Sequence, residues 1–342
     1  MNHPVVSMLP NTPHVQFVIP GLWQPLALWR KDFNFRPVAP SLLRLCADHR
    51  PAPLAAQGLE NTLFHLKGHT VTTEIPFAYH RYRLDFGVPP ALPLLCADPV
   101  FLKSGLDSVV MQPALPLLPA DELATLLALL NHHLAEDGLQ LVAKHPQRWY
   151  LMGERVQGDV PLQTVPLSQA LGQSIFPLLP QGDKRYWHRL LNEIQMLLHT
   201  RENPAVNALW LWGAAYPASL PALQMDEQQT FVGESVTAQV MALATAVRYQ
   251  AATQFADVPL TTGHYTVVLE ELHPCSVADD LQGWQQALAQ LETAWFAPAL
   301  RAMQSGQCSI SVTACDGRLL HCQRPSPWKF WGTPSATWEQ LS

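Results

Sequence analysis

The stretch DKRYWHRLLNEIQMLLHTRENPAVNALWLWGAAYPASLP, residues 183–221, sets the reading of the whole chain. Trp187, Leu190, Leu191, Ile194, Leu197 and Leu198 recur three and four apart, which draws one apolar stripe along a helix. Asp183 supplies an N-cap, and Glu202-Asn203-Pro204 stops the pattern. Val206–Trp212 is then short, almost wholly apolar and closed by Gly213. Such a run predicts a strand buried on both faces, and hence a sheet covered by helices. Asn207 is the polar exception. It reads either as turn chemistry joining helix to strand or as a polar group aimed into a cleft.

Composition bounds the rest. A chain of 342 residues, 48% hydrophobic and 14% charged, is globular and long enough for two domains. Its 31 prolines are nearly twice the usual share of about 5% and predict long ordered connections. A net charge of −6 with only 21 Lys+Arg, in no basic run, argues against a nucleic-acid surface. No apolar stretch reaches the roughly 18 uncharged residues of a membrane span. Residues 1–14 lack the basic start and cleavage site of a signal peptide, and the six cysteines form no CxxC. A cytoplasmic location is expected.

In chain order, Val15–Pro20 predicts a strand ending in a Pro-Gly turn, and Ser41–Asp48 a short helix before a proline-broken loop. Residues 59–69 predict a helix ending near Gly68. His65 and His69 lie four apart there, but no carboxylate stands between them and Gly68 weakens the helix. Residues 94–160 read as a self-contained α+β unit: strands at 95–100 and 108–111, a leucine-striped helix at 118–134, and paired strands at 139–143 and 149–152. Beyond the opening stretch, Ser235–Gln250 predicts a small-residue helix and Thr266–Leu269 a buried strand. Asp279 or Asp280 caps a long helix, and Ser309–Thr313 is the last strand, ending at Cys315-Asp316-Gly317. Alternating strands and helices predict an α/β protein with a mostly parallel, doubly wound sheet. Three segments are expected: 1–93 as the first part of the core, 94–160 as the inserted domain, and 161–342 as the second part. Trp328, Phe330 and Trp331 form a closing aromatic cluster that reads as core or as a docking anchor.

These segments resemble the RpfE-type regulatory proteins of bacteria, a family described as phosphoglycerate mutase-like. The resemblance is carried by CADPVFLKSGLDSVV (96–110), LLNEIQMLLH (190–199), VNALWLWG (206–213), WFAPAL (295–300) and WKFW (328–331). A more distant similarity links the chain to archaeal-type cofactor-independent phosphoglycerate mutases of the alkaline phosphatase superfamily. It implies an alkaline phosphatase-like fold with a small inserted domain. Enzymes of that superfamily hold two divalent metals with Asp and His side chains, which neutralise the phosphoryl oxygens and activate a nucleophile.

Departures from that pattern shape the functional expectation. Where the family's first strand ends in Asp-Gly, this chain has Pro20-Gly21, and proline offers no side-chain ligand. The family's Asp-His-Gly corresponds to Cys315-Asp316-Gly317 or to Ala314-Cys315-Asp316, without the His, and its Arg-Gly turn to Trp212-Gly213, without the bidentate phosphate donor. The ligand loop is matched loosely by His273, Asp279 and Asp280. No GxSxG, GxGxxG or GxxxxGK[ST] motif occurs. Cys315 beside Asp316 reads as a strand-end nucleophile or as a bystander thiol. Arg148 is the candidate anion binder, or a surface arginine packing its stem on Trp149.

The expectation is therefore a pseudoenzyme: a catalytically degenerate, phosphoglycerate mutase-like protein with a regulatory or interaction role, binding a protein partner and needing no cofactor. The alternative is an active metal-dependent mutase or phosphatase that holds Mn or Zn with ligands drawn from His264, His273, Asp279, Asp280 and Asp316. A third reading is a sensor of a small phosphorylated metabolite, in a cleft near Arg148, Asn207 and Trp210.

Overall fold

The computed structural model describes residues 12–105, 108–114, 117–200, 205–324 and 336–341. The helix stop at 202–204, the closing cluster at 328–331 and most of the opening segment lie outside these described residues. The strands are β1 (His14–Val18), β2 (His49–Gln57), β3 (Leu94–Val100), β4 (Leu102–Ser104), β5 (Val109–Met111), β6 (Gln140–His145), β7 (Arg148–Met152), β8 (Ala208–Ala215), β9 (Gln229–Val232), β10 (Arg248–Gln250), β11 (His264–Val268), β12 (Ser309–Thr313) and β13 (Asp316–Cys322). The helices are α1 (Leu26–Phe33), α2 (Pro40–Leu45), α3 (Leu59–His65), α4 (Phe77–Phe86), α5 (Ala120–Leu134), α6 (Leu167–Ala170), α7 (Lys184–His199), α8 (Val236–Thr245), α9 (Leu272–Val277), α10 (Leu281–Leu291), α11 (Ala297–Gln304) and α12 (Trp338–Leu341).

The chain packs as two units, residues 1–62 with 224–342, and residues 63–223. The first unit carries a seven-stranded sheet in the order β10-β9-β11-β1-β12-β13-β2. Its first five strands run parallel, and β13 and β2 are antiparallel additions at one edge. The α/β expectation with a mostly parallel sheet holds here. Val15 and Phe17 of β1, and Ile19 just after it, project with period two into a core shared with Trp284, Leu288, Trp295 and Phe296. Asp280 caps α10, accepting from Gly283 N at 2.8 Å, and a π-helical turn at Glu292–Phe296 leads on to α11.

Four strands of this sheet, β2, β9, β10 and β13, are absent from the sequence reading. β2 was expected as a proline-broken loop. Its prolines are tolerated because it is the edge strand, where an N–H is dispensable. The turn at Ala314-Cys315-Asp316-Gly317, expected to end the last strand, instead leads into a further strand, β13. The helix expected at 235–250 ends at Thr245, where Ala246 turns left-handed and frees the chain to form β10.

The second unit has a four-stranded antiparallel sheet, β6-β7-β3-β8, with the small hairpin β4–β5 beside it in sequence. The opening stretch is corrected here. β8 is buried along its whole length, as expected, but it pairs antiparallel with β3 instead of entering the parallel sheet. Pairing with β3 places α7 and β8 in the same unit as residues 94–160, and α4 joins them from the other side. The expected boundaries at 94 and 160 thus fall inside a unit that runs from 63 to 223.

Both faces of this second sheet are covered by helices. Leu95, Ala97, Trp149, Leu151, Leu209 and Leu211 pack with Leu126 and Leu130 of α5 and Trp187, Leu190 and Ile194 of α7. The alternate residues face α4, where Phe77 stacks on Trp212 at 4.7 Å between ring centroids. The free edge of β8 is closed by side chains. Glu74 accepts from Ala214 N at 3.0 Å, and Thr164 Oγ1 accepts from Gly213 N at 2.9 Å. Gly213 has φ 68° in the irregularity opposite Leu94–Cys96, and a Cβ there would lie 3.1 Å from that of Phe77.

Candidate functional site

In an open α/β sheet the crevice outside the carboxyl ends of the strands is the natural binding place, at the point where strand order reverses. In the first unit β1 is that point, lying between β11 and β12. Its end is the Pro20-Gly21 turn, where Gly21 has φ 78°. A Cβ on Gly21 would lie 2.9 Å from Cα of His273 and 3.0 Å from Cβ of Ser276, so α9 sits directly on the turn. Trp284 Nε1 donates to Gly21 O at 2.8 Å and fixes it from below. This strand end is filled by packing.

The end of β12 is equally committed. Asp316 Oδ2 accepts from Trp23 Nε1 at 3.0 Å and from Arg318 Nε at 2.8 Å and Nη2 at 2.5 Å. Arg318 Nη2 also donates to Leu341 O at 2.8 Å. Cys315 adopts φ 61° and is buried, and burial pushes its thiol well above the ordinary range, with Glu60, Asp316 and Glu270 adding to the shift. A thiol so protonated is a poor nucleophile, which corrects the strand-end nucleophile reading.

Three carboxylates near the ends of β9 and β11 had no place in the sequence reading. Glu271 is pushed up by burial and by the neighbouring charges of Glu270 and Glu234. Glu270 Oε1 is buried and has no hydrogen-bond partner among the described residues. The strand-end face is thus acidic, with the Arg318 guanidinium bonded to Asp316. Adjacent acids just after a buried strand, as in Leu269-Glu270-Glu271, were the available signal.

The proposed metal ligands do not converge. His264 opens β11 at the opposite end of the sheet and pairs with Asp226 at 2.9 Å. Asp279 accepts from Trp29 Nε1, and Asp280 is the cap of α10. His273 lies in α9, against the Gly21 turn. Among the described residues, no group of three or more His, Cys, Asp or Glu side chains is arranged to hold a metal ion. The residues present do not fit the dinuclear centre that the resemblance implies. His65 and His69 face other bonds: His65 Nδ1 lies 3.3 Å from His69 O, and His69 Nε2 lies 3.1 Å from Thr73 Oγ1.

The ligand-binding candidates of the second unit all make internal hydrogen bonds. Asn207 accepts from Leu102 N at 2.7 Å and donates to Leu102 O at 2.8 Å, pinning the chain after β3 beside the start of β8. Trp210 Nε1 donates to Val165 O at 2.8 Å. Arg148 Nη2 donates to Asp85 Oδ1 at 2.7 Å, and its Nε reaches both oxygens, so it is no free anion-binding arm. Tyr150 O–H donates to Asp85 Oδ2 at 2.6 Å. Burial pulls the Asp85 carboxyl upward, but the bonds from Arg148 and Tyr150 outweigh it and hold the group below the usual carboxylate range.

Beside this lies a fully buried ion pair that sequence reasoning missed. Arg81 Nη1 and Nη2 donate to Asp98 at 2.8 and 2.7 Å, Arg81 Nε donates to the Tyr150 hydroxyl at 3.2 Å, and Trp212 Nε1 donates to Asp98 Oδ2 at 2.8 Å. Phe77, Arg81 and Asp85 lie at i, i+4 and i+8 of α4, one face of one helix.

No family model and no curated protein sequence matches this chain. Solved structures similar to it include a cofactor-independent phosphoglycerate mutase from Thermoplasma acidophilum DSM 1728, at 12% identity and a TM-score of 0.44, over 92% of this chain and 90% of that one. The PH0037 protein from Pyrococcus horikoshii is similar at 11% identity and a TM-score of 0.45, over 91% of this chain and 88% of its own. No helix among the described residues is long and apolar enough to cross a membrane.

Proposed function

We propose that this chain is a phosphoglycerate mutase-like α/β protein of the RpfE type that has lost two-metal phosphoryl transfer and acts as a regulatory or protein-interaction module. The observation that carries this reading is the commitment of Asp316. Its carboxylate is held by Trp23 and by two nitrogens of Arg318, so metal ligation would require breaking a charge-assisted, bidentate contact. Support also comes from the β1 turn, where α9 and Trp284 fill the space a first ligand would need. The carboxylates of Glu234, Glu270 and Glu271 would repel a phosphorylated acid in the absence of a cation.

Under this reading no resident metal or organic cofactor takes part, and the functional partner is a protein. The test is an isomerisation assay of 2- and 3-phosphoglycerate with pure protein in the presence and absence of Mn²⁺. The expected rate is that of buffer alone. Metal-dependent turnover that Asp316→Asn abolishes would overturn the proposal.

A further inference from the structure

Cations are sparse in this chain, with 21 Lys+Arg in 342 residues, yet four of them border one place in the second unit. Arg155, Arg185 and Arg189 line a surface cavity of about 560 Å³ around Tyr186. An adjoining hollow of about 350 Å³ shares Arg155 and Tyr186 and is bordered by Lys184. The larger volume falls in the range of roughly 300–1,000 Å³ that holds small-molecule ligands.

The cavity also contains Glu136, Asp137 and Asp183, so the question is which charges are already used. Asp137 Oδ2 accepts from the Tyr186 hydroxyl at 2.9 Å, and Asp183 Oδ1 accepts from Tyr186 N at 3.2 Å. Two of the three carboxylates are therefore engaged in holding Tyr186. The cations are held more loosely. Arg155 meets Asp183 at 3.5 Å and Arg189 meets Glu193 at 3.5 Å, both between exposed side chains, contacts worth little in water. Arg185 has no hydrogen-bond or ion-pair partner among the described residues.

Position is fixed even where charge is free. The Tyr186 ring is buried and tethered through its hydroxyl, and the Arg155 guanidinium lies over it at 4.2 Å from the centroid, with Arg189 at 5.7 Å. Stacking of this kind orders a guanidinium while leaving its N–H edge available to an oxyanion.

We infer that this cavity binds a phosphomonoester of a small hydroxylated molecule. Its phosphoryl group is taken by Arg155, Arg185 and Arg189, and its hydroxyls meet the carboxylates of Glu136 and Asp183. The site lies apart from Asn207 and Trp210, whose polar atoms are consumed internally. It stands independently of the metal question at the strand ends, since it uses none of those residues.

Calorimetric titration of the full chain with glucose 6-phosphate, glucose and inorganic phosphate tests the inference, with thermal unfolding as a second readout. Glucose 6-phosphate is expected to bind more tightly than inorganic phosphate, and glucose alone not at all. Arg185→Gln is expected to weaken binding about tenfold, the loss of one charge-assisted bond. The unliganded melting temperature of that variant stays at the wild-type value, because the side chain is exposed and bonded to nothing. Arg155→Gln gives the same loss with a lower melting temperature. Absence of binding at millimolar sugar phosphate, equal binding of inorganic phosphate, or affinity unchanged in Arg185→Gln would each overturn it.

Discussion

Arg81 and Asp98 form a two-bond ion pair, 2.8 and 2.7 Å long, whose side chains are almost completely removed from water. The pair joins α4 to β3 across the face of the second sheet. Asp98 also accepts from Trp212 Nε1 at 2.8 Å and from Trp149 N at 3.3 Å. Burial alone would pull the guanidinium's pKa down, but the Asp98 charge outweighs it and holds the group protonated. Removing one partner strands the other charge, which costs about 3–5 kcal/mol, whereas an apolar replacement of both is far milder. Urea unfolding should accordingly show Arg81→Met and Asp98→Leu each strongly destabilised and the double variant less so than either single one. Losses below about 1 kcal/mol in both singles would contradict the burial of this pair.

His14 makes stability fall at mildly acid pH. Its ring nitrogens lie 2.9 Å from the Ser309 and Ser311 hydroxyls, and His264 meets it edge-on at 6.2 Å. Burial first, then the nearby His264 and His321, lowers its pKa from 6.5 to about 4. The unfolded chain therefore binds this proton more readily than the folded one. The contribution of neutral His14 is complete above 6.5 and is lost as pH falls towards 4. Unfolding free energies measured across that window should drop less steeply in His14→Gln than in the parent. Parallel pH profiles for the two proteins would contradict the assignment.

Glu74 acts with the opposite sign. Its carboxyl closes the edge of β8, accepting from Thr164 N at 2.8 Å and from Ala214 N at 3.0 Å. Burial outweighs these donors and raises its pKa from 4.5 to about 7. Here the folded state holds the proton more tightly. The stabilisation is complete below 4.5 and is lost as pH rises through about 7. The stability of the parent minus that of Glu74→Gln, taken with its sign, should fall over that interval and stay constant above it. A difference that grows with pH would show that the carboxylate form is the one preferred in the fold.

Local signals in the sequence were legible where one physical preference acted alone. Asp183 caps α7 by accepting from Tyr186 N at 3.2 Å, and the leucine stripe of that helix faces the core as its spacing implies. Strands β1, β11 and β12 followed from apolar runs alone. Long-range pairing was not legible. The apolar run of β8 specifies burial on two faces, and antiparallel pairing with β3 meets that demand as well as a parallel sheet does. α4 escaped notice because its buried face carries Arg81 and Asp85, so no apolar stripe marks it. β2 was masked by Pro51 and Pro53, which are acceptable only because the strand lies at an edge. Among the candidate site residues, Asn207 bonds the backbone of Leu102, a partner far along the chain and neither of the two its sequence position suggested. Asp280 is the local cap of α10 that the sequence offered, whereas Arg148 and Asp279 meet Asp85 and Trp29, partners that only the fold brings near, and Asp316 joins its neighbour Arg318 to the distant Trp23.

The central proposal is that the strand ends of the first unit hold no dinuclear metal centre. Calorimetric titration of metal-stripped protein with Mn²⁺, and separately with Zn²⁺, tests it most directly. The account predicts no tight site, and identical traces for the parent and for Asp316→Asn. Two tight sites per chain, lost in Asp316→Asn, would contradict it and would make Asp316 a ligand despite its contact with Arg318.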